Sequence, residues 1–487
     1  MRITRENPAR PREIVGSVPI MPPGAVDVIV RESDRRFREW SAWPLPDRLA
    51  KLSEAADGLD AERSELAALL ARETGKPIAD CRGELSFAAT YLRWICRRAA
   101  TVYSDIRIDD AQGRLTLAAR PYGVVTAITP WNAPIILSLL KVGPALAAGN
   151  TVILKPSPLA PLTVTRVAEL FPVTTVVHGG AELVHALIAH PLVGKVAFTG
   201  GDVAGRSIAA AAGQAITPVV LELGGNDPAV FLDDFALTPD DYDRLVLASF
   251  ATAGQVCMAA KRLYVPHRRA DEFTEAYLEA AQRILTVGDP LDEAVTMGPV
   301  VTRDAADRVS ALIADARARG GRILPLADVP ESSGYFVAPI LALDLPDSAP
   351  LVNTEQFGPA VPLLTYRDEF EALSRANDSA LGLAASVWSA DESRAFDFAA
   401  RIEAGFTFIN THNRTGMSLR APFGGIKSSG YGREYAEEGL LEYTRTTVIH
   451  SPAVFRAGGA GMSARAYPTE TAVIGAYGGD GGPPQPE

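Results

Sequence analysis

Across residues 27–102 the apolar positions return every three or four residues with charges between them, as at Leu66, Leu69 and Leu70, which is the period of amphipathic helices. The spacing predicts helices over 27–40, 49–72 and 84–98. The second closes at Thr74-Gly75-Lys76-Pro77, where glycine can take a left-handed cap and proline forbids continuation. After Asp109 the texture changes to short β-branched runs at 115–118, 124–129, 151–154, 174–177, 195–199 and 219–223. Most of them do not alternate, so both faces are buried, and helical stretches at 142–148 and 181–189 lie between them. That order predicts an α/β fold with a doubly wound parallel sheet. A second α/β region runs over 231–432, with helices at 271–285, 304–319 and 392–404 and strands at 361–366, 384–388 and 406–410. Beyond Pro452 the chain is rich in Gly, Ala and Pro without periodicity, so 453–487 is expected to be disordered.

The length of 487 residues allows two to four domains at about 150 residues each. A net charge of −11 would repel a polyanion, which argues against nucleic acid as a partner. Three cysteines, Cys81, Cys96 and Cys257, are too few and too far apart for a disulfide framework or a Cys-based zinc motif, in keeping with a reducing cytoplasm. Residues 1–18 have no apolar core of a signal peptide, and no run approaches the roughly 18 apolar residues of a membrane span. The expectation is a cytoplasmic protein with no membrane partner. None of the six histidines sits in HExxH or pairs with a carboxylate at helical spacing, so no metal site is expected.

Gly200-Gly201-Asp202-Val203-Ala204-Gly205 follows an apolar run and opens a predicted helix at 206–212, where a helix N-terminus favours phosphate. With 41 glycines in the chain, an ordinary strand-to-helix turn reads the same way. Cys257 lies in Gly254-Gln255-Val256-Cys257-Met258, and a lone cysteine is ordinarily a small buried hydrophobe. Three further segments keep it company: Pro130-Trp131-Asn132, Leu221-Glu222-Leu223-Gly224-Gly225 and Glu355-Gln356-Phe357-Gly358-Pro359. Each puts polar side chains at a strand end or loop, where α/β folds hold ligands.

PWNAP, KPS, FTGG with Gly205, LELGG, GQVC, EQFGP and PFGGIKSSGYGRE occur together in the order and spacing of the aldehyde dehydrogenase superfamily, which the chain resembles over residues 7–450. The resemblance implies a dinucleotide-binding domain (1–108 and 128–223), a catalytic domain (224–441) and a small β oligomerisation flap (109–127 and 442–452), assembled as a homodimer or homotetramer. It implies that Cys257 is the nucleophile toward a small-molecule aldehyde. The Asn132 amide and the Cys257 backbone N–H would form the oxyanion hole, and hydride would pass to NAD to leave a thioester. Glu222 would activate the water that hydrolyses the thioester, and Lys141 would relay protons to it. The segment between Glu222 and Cys257, at 233–243, reads as acidic and loop-like. For the cofactor, Lys155 would bond the adenosine ribose, Gly200 and Gly205 would admit the pyrophosphate, Glu355 would hold the nicotinamide ribose, and Phe357 and Trp131 would complete the site.

Members that prefer NAD often carry glutamate three residues after the lysine, whereas this chain has Pro158 after Lys155. The expectation is therefore NAD over NADP by a modest margin. Positions lining the aldehyde tunnel match Ala133, Leu137, Leu140, Val256 and Met258, all apolar, which favours a hydrophobic aliphatic or aromatic aldehyde. Arg414 and Arg420, in the loop 411–420, could instead bind a carboxylate-bearing semialdehyde or face solvent. The alternatives are a CoA-acylating aldehyde dehydrogenase, a thiol hydrolase using Cys257 with His412, and a non-catalytic structural relative.

Overall fold

The unalternating β-branched runs form the buried centre of a six-stranded sheet. In the computed structural model, which describes residues 1–453, its order is Gly430–Tyr431, Val219–Glu222, Val193–Thr199, Val124–Thr129, Thr151–Pro156 and Thr174–Val176. Val124–Thr129 and Thr151–Pro156 are buried at every position, as strands covered on both faces must be. All neighbours run parallel except the edge pair, where Gly430 lies antiparallel opposite Glu222. Residues 124–127, expected in the flap, instead belong to the middle of this sheet.

Helices cover the sheet where the sequence supplies starts and stops. Pro134 opens Pro134–Ala148 and Gly149, at φ 97°, ends it. This helix is a full two turns longer than 142–148, because its first half is apolar all round and carries no period to detect. The predicted helix 49–72 is two helices, Leu45–Ala61 and Arg63–Thr74, which turn at Glu62 so that both pack on Ile78–Val102. No Gly or Pro marks that corner.

A seven-stranded sheet follows, ordered Arg322–Pro325, Ile340–Leu343, Ala360–Tyr366, Arg262–Pro266, Pro228–Phe231, Ala384–Trp388 and Phe406–Ile409, parallel except for its first pair. Within 233–243, read as a loop, a Thr238/Asp241 capping box starts the helix Pro239–Phe250. The helix expected over 392–404 stops at Ala399. A hairpin of Arg2–Asn7 and Arg10–Pro19 had no counterpart in the pattern.

Both large sheets lie in one compact unit, Met1–Ser104 with Ala118–Thr447. Among the described residues the second unit contains Asp105–Leu117 and 448–453, and a three-stranded sheet is formed by Ile106–Asp110, Gly113–Pro121 and Thr444–Pro452. Residues 454–487, within the stretch expected to be disordered, lie outside the described residues. Among the described residues no helix is long and apolar enough to cross a membrane.

Candidate active site

Parallel strands present their C-terminal ends on one edge, and the polar residues singled out from the sequence follow those ends: Trp131 and Asn132 after Val124–Thr129, Lys155 near the end of Thr151–Pro156, Gly200 after Val193–Thr199 and Glu222 at the end of Val219–Glu222. The N-terminus of Pro134–Ala148, just beyond Asn132, is held by Glu84, whose carboxylate accepts the N–H groups of Ile135 (2.7 Å) and Ile136 (3.2 Å) and pairs with the buried Lys76. This cap fixes where the helix begins, and with it the loop that carries Asn132.

The Cys257 loop is reached through three successive left-handed residues, Thr252 (φ 56°), Ala253 (φ 54°) and Gly254 (φ 70°). Side chains at the first two cost about 1–3 kcal/mol each, a strain that the surrounding contacts must hold. A β-carbon on Gly254 would run into the Gly358 carbonyl, so only glycine lets this loop approach the segment after Phe357. Gln255 anchors the loop by donating to the Thr252 carbonyl (2.9 Å) and accepting from the Val301 N–H (3.0 Å). The Asn132 side chain in turn donates one amide hydrogen to the Gln255 carbonyl at 2.9 Å, so the proposed oxyanion donor and the nucleophile loop are tied directly.

Cys257 is partly exposed. Burial of its surroundings pushes the thiol up to about 12, the Lys261 ammonium pulls it down, and the carboxylates of Glu355, Asp227 and Glu222 add to the rise. His412 is not placed as its base, because its Nδ1 is bonded to Ser386 Oγ (2.7 Å) and burial drives the imidazole down to about 3.

Glu222 is buried, with Oε1 lacking a hydrogen-bond partner among the described residues. Burial first, and then the neighbouring Glu434 charge, hold its carboxyl well above the usual range, against the pull of Lys141 and Arg433. Lys141, fully buried, donates to Glu434 Oε1 and Thr199 Oγ1 at 2.6 Å each rather than to Glu222. Glu434 belongs to the GYGRE segment but was assigned no role from sequence. Lys261 stands four residues after Cys257, where the only signal in the sequence is a lysine between two apolar runs.

Among the cofactor residues, Lys155 is nine-tenths buried, yet its ammonium has no hydrogen-bond or ion-pair partner among the described residues. Its neighbour His178 bonds Thr165 Oγ1 (3.1 Å) and is held neutral, its imidazole pushed down to about 4 by burial and then by Lys155. An unpaired buried cation at a strand end suits a ribose or phosphate oxygen, so the residues present fit NAD(P). Gly200 donates its N–H to the Glu222 carbonyl (3.0 Å), and β-carbons on Gly200 and Gly205 would collide with Phe198 and Leu223, so both serve close packing inside the chain. The amides left for a phosphate are those opening the helix Asp202–Ala215. Glu355 Oε1 accepts from Lys261 Nζ (2.9 Å) and the Gly225 N–H (3.2 Å). The Phe357 ring meets the Trp131 ring edge-on, with centroids 5.7 Å apart.

Of the expected tunnel residues, Ala133, Leu137 and Met258 are partly exposed and pack with Cys257, Met417 and Leu419 against one apolar cluster, and Val256 is also partly exposed. Leu140 is the exception, sealed in the core at 1% exposure, so it offers a ligand no surface. Met417 and Leu419 also line a cleft of about 800 Å³ with Trp94, Arg98 and Arg420. Arg414 pairs with Asp80 (3.1 Å). Among the described residues no group of three or more His, Cys, Asp or Glu could hold a metal ion.

An amide, a lysine and a buried carboxyl at strand ends, with a cysteine loop tied to the amide, are carried on a two-sheet α/β fold. The model of the aldehyde dehydrogenase family matches residues 1–449, and the chain belongs to that family. It is an NAD(P)-dependent oxidoreductase. The chain is 37% identical over 450 residues to the NADP(+) succinate-semialdehyde dehydrogenase of Escherichia coli, covering 90% of this chain and 92% of the relative. It is 36% identical over 448 residues to the glutarate-semialdehyde dehydrogenase of Pseudomonas aeruginosa, covering 90% and 91%. Among solved structures, an NAD-dependent aldehyde dehydrogenase from Sinorhizobium meliloti superposes with a TM-score of 0.89 at 30% identity, covering 95% of this chain and 93% of that one.

Proposed function

We propose that the protein oxidises an aliphatic aldehyde to its carboxylic acid, with water as the final acyl acceptor. The Cys257 sulfur, its proton lost to water, bonds to the aldehyde carbon as the carbonyl π bond opens, and the second Asn132 amide hydrogen stabilises the oxygen that takes up that electron pair. When bound, the nicotinamide of NAD(P) supplies the acceptor for the hydride whose loss turns the adduct on Cys257 into a thioester. In its ionised form Glu222, turned toward the thioester, takes a proton from water as the water oxygen bonds to the acyl carbon. The carbon–sulfur bond then breaks, releasing the acid and returning the sulfur to Cys257. Glu434 and Lys141, bonded to each other, are placed to receive the proton from Glu222. In this reading the sheet ending at Glu222 is the dinucleotide half and the seven-stranded sheet the catalytic half.

The observation that carries the proposal is the Asn132–Gln255 hydrogen bond, because it locks an amide donor to the strained loop that carries a partly exposed cysteine. Glu222→Gln tests it. Mixed with aldehyde and cofactor, the variant should form at most one reduced cofactor per active site, then turn over very slowly with an acyl adduct on Cys257 visible by intact mass. Turnover at the parental rate would remove Glu222 from deacylation, and acyl-CoA formation by the parent enzyme would replace hydrolysis with CoA acylation.

For substrate, the apolar surface of Ala133, Leu137 and Met258 suits an aliphatic body. The relatives named for succinate and glutarate semialdehydes support a terminal carboxylate, and Arg420, on the cleft that Met417 and Leu419 line together with Glu437 and Glu438, is the cation available to it. A panel should give the semialdehydes a higher kcat/KM than uncharged aldehydes of equal length. For cofactor we propose use of both NAD and NADP, because Pro158 brings no charge against a 2′-phosphate and Lys155 has no carboxylate to neutralise it.

A further inference from the structure

Lys261 is the least expected residue of the site. It is 2% exposed, and its ammonium donates to three oxygens: the Gly225 carbonyl (2.8 Å), the Cys257 carbonyl and Glu355 Oε1 (2.9 Å). An ammonium has three hydrogens, so all are used. Its three partners come from three segments with separate parts in the proposed reaction: the glycine turn just beyond Glu222, the nucleophile itself and the loop of Glu355 and Phe357. The glycines make this convergence possible, since a β-carbon on Gly224 would strike Glu355 and one on Gly225 would crowd the Cys257 carbonyl. The main chain of Lys261 is equally fixed, its N–H bonded to the Asp227 carbonyl (3.0 Å) and its carbonyl accepting from Gln356 Nε2 (3.0 Å). Through Gln356 the backbone of the Glu355 loop is therefore tied to the same residue as its side chain.

The charge has work to do in that place. The Glu355 carboxylate, bonded to Lys261, opposes ionisation of the Cys257 thiol, and the Lys261 ammonium favours it. Asp227 has neither side-chain oxygen in a hydrogen bond to another side chain and is pushed up to about 8, chiefly by burial and against the pull of Lys261. Because Lys261 engages only Oε1 of Glu355, the other oxygen is left for a ligand hydroxyl.

Resting on the proposed function, we propose that Lys261 is a positioning residue that joins the cofactor-facing carboxylate Glu355 to the nucleophile Cys257, holding the carboxylate in place and favouring the thiolate through a single ammonium. The tether and the charge cannot be separated in the parent chain, so removal of Lys261 disturbs cofactor binding and cysteine reactivity together.

The test is alkylation of Cys257 by iodoacetamide at pH 8, followed by peptide mass to separate it from Cys81 and Cys96, with no aldehyde present. Lys261→Met should slow alkylation about tenfold, the change in thiolate fraction from one pH unit, and should weaken NADPH binding, read by its fluorescence, about tenfold. Glu355→Gln keeps the shape, removes an opposing charge and should speed alkylation several-fold while also weakening NADPH binding. Opposite signs in the two variants, with weaker cofactor binding in both, support the coupling. Alkylation within about twofold of the parent in Glu355→Gln, equal signs, or unchanged NADPH binding would each overturn it, and Glu355→Gln decides alone if Lys261→Met does not fold. Neither reading needs aldehyde turnover, so failure of the proposed oxidation would show separately in the Glu222→Gln experiment.

Discussion

The Asn132 side chain spends one amide hydrogen on the Gln255 carbonyl and keeps a second for a substrate oxygen. Asn132→Ala should lower kcat by about 10²–10³, the scale of losing one oxyanion donor. A steady-state analysis in which only KM changes would make it a binding residue instead. Glu222 gives a prediction with a definite sign. Its carboxyl stays protonated in the folded chain above 4.5, where an unfolded glutamate is ionised, so its contribution to stability weakens as pH rises from that value toward the folded one. Glu222→Gln removes this dependence, and its Tm relative to the parent should be more favourable at pH 8 than at pH 5. The reverse trend in thermal melts would mean that the carboxylate is charged and held by Lys141. Asn132 and Glu222 stand out in the sequence because motif and strand end coincide, whereas Cys257, which follows the helix Pro239–Phe250 and a short turn, stands out only through the company of the other motifs. The Lys141–Glu434 pair does not stand out, since its members stand 293 positions apart and meet only through packing.

The helix Pro134–Ala148 depends on Glu84 at its N-terminus. Glu84→Ala strands two amides and leaves Lys76 buried without its partner, so unfolding in urea should show a loss of about 3–5 kcal/mol. Because the same cap sets the Asn132 loop, kcat should fall with it, and a variant of parental stability would show that the pair contributes little. Regular elements with starts and stops in the local pattern, such as Val26–Trp40 and Ala181–Ile188, were readable to within a residue or so. The corner at Glu62 was not, because two helix faces seeking one partner helix decide it and no local breaker is present.

In the small three-stranded sheet, Ile106, Val448 and Ile449 are more than half exposed, an apolar surface that so few strands cannot bury for themselves. We propose that this surface assembles the homodimer or homotetramer expected from the sequence: Val448→Glu with Ile449→Glu should give a smaller species in size-exclusion chromatography with light scattering, and an unchanged mass would place the interface elsewhere. The α/β class and the strand-and-helix order follow from the sequence alone, because burial on both faces of a strand and one face of a helix leaves marks at short range. Tertiary structure decided which groups meet. It sealed Leu140 in the core, tied Gly200 to Glu222 and gathered Gly225, Cys257 and Glu355 on Lys261, since distances between segments and the loss of water around a charge exist only once the chain has folded.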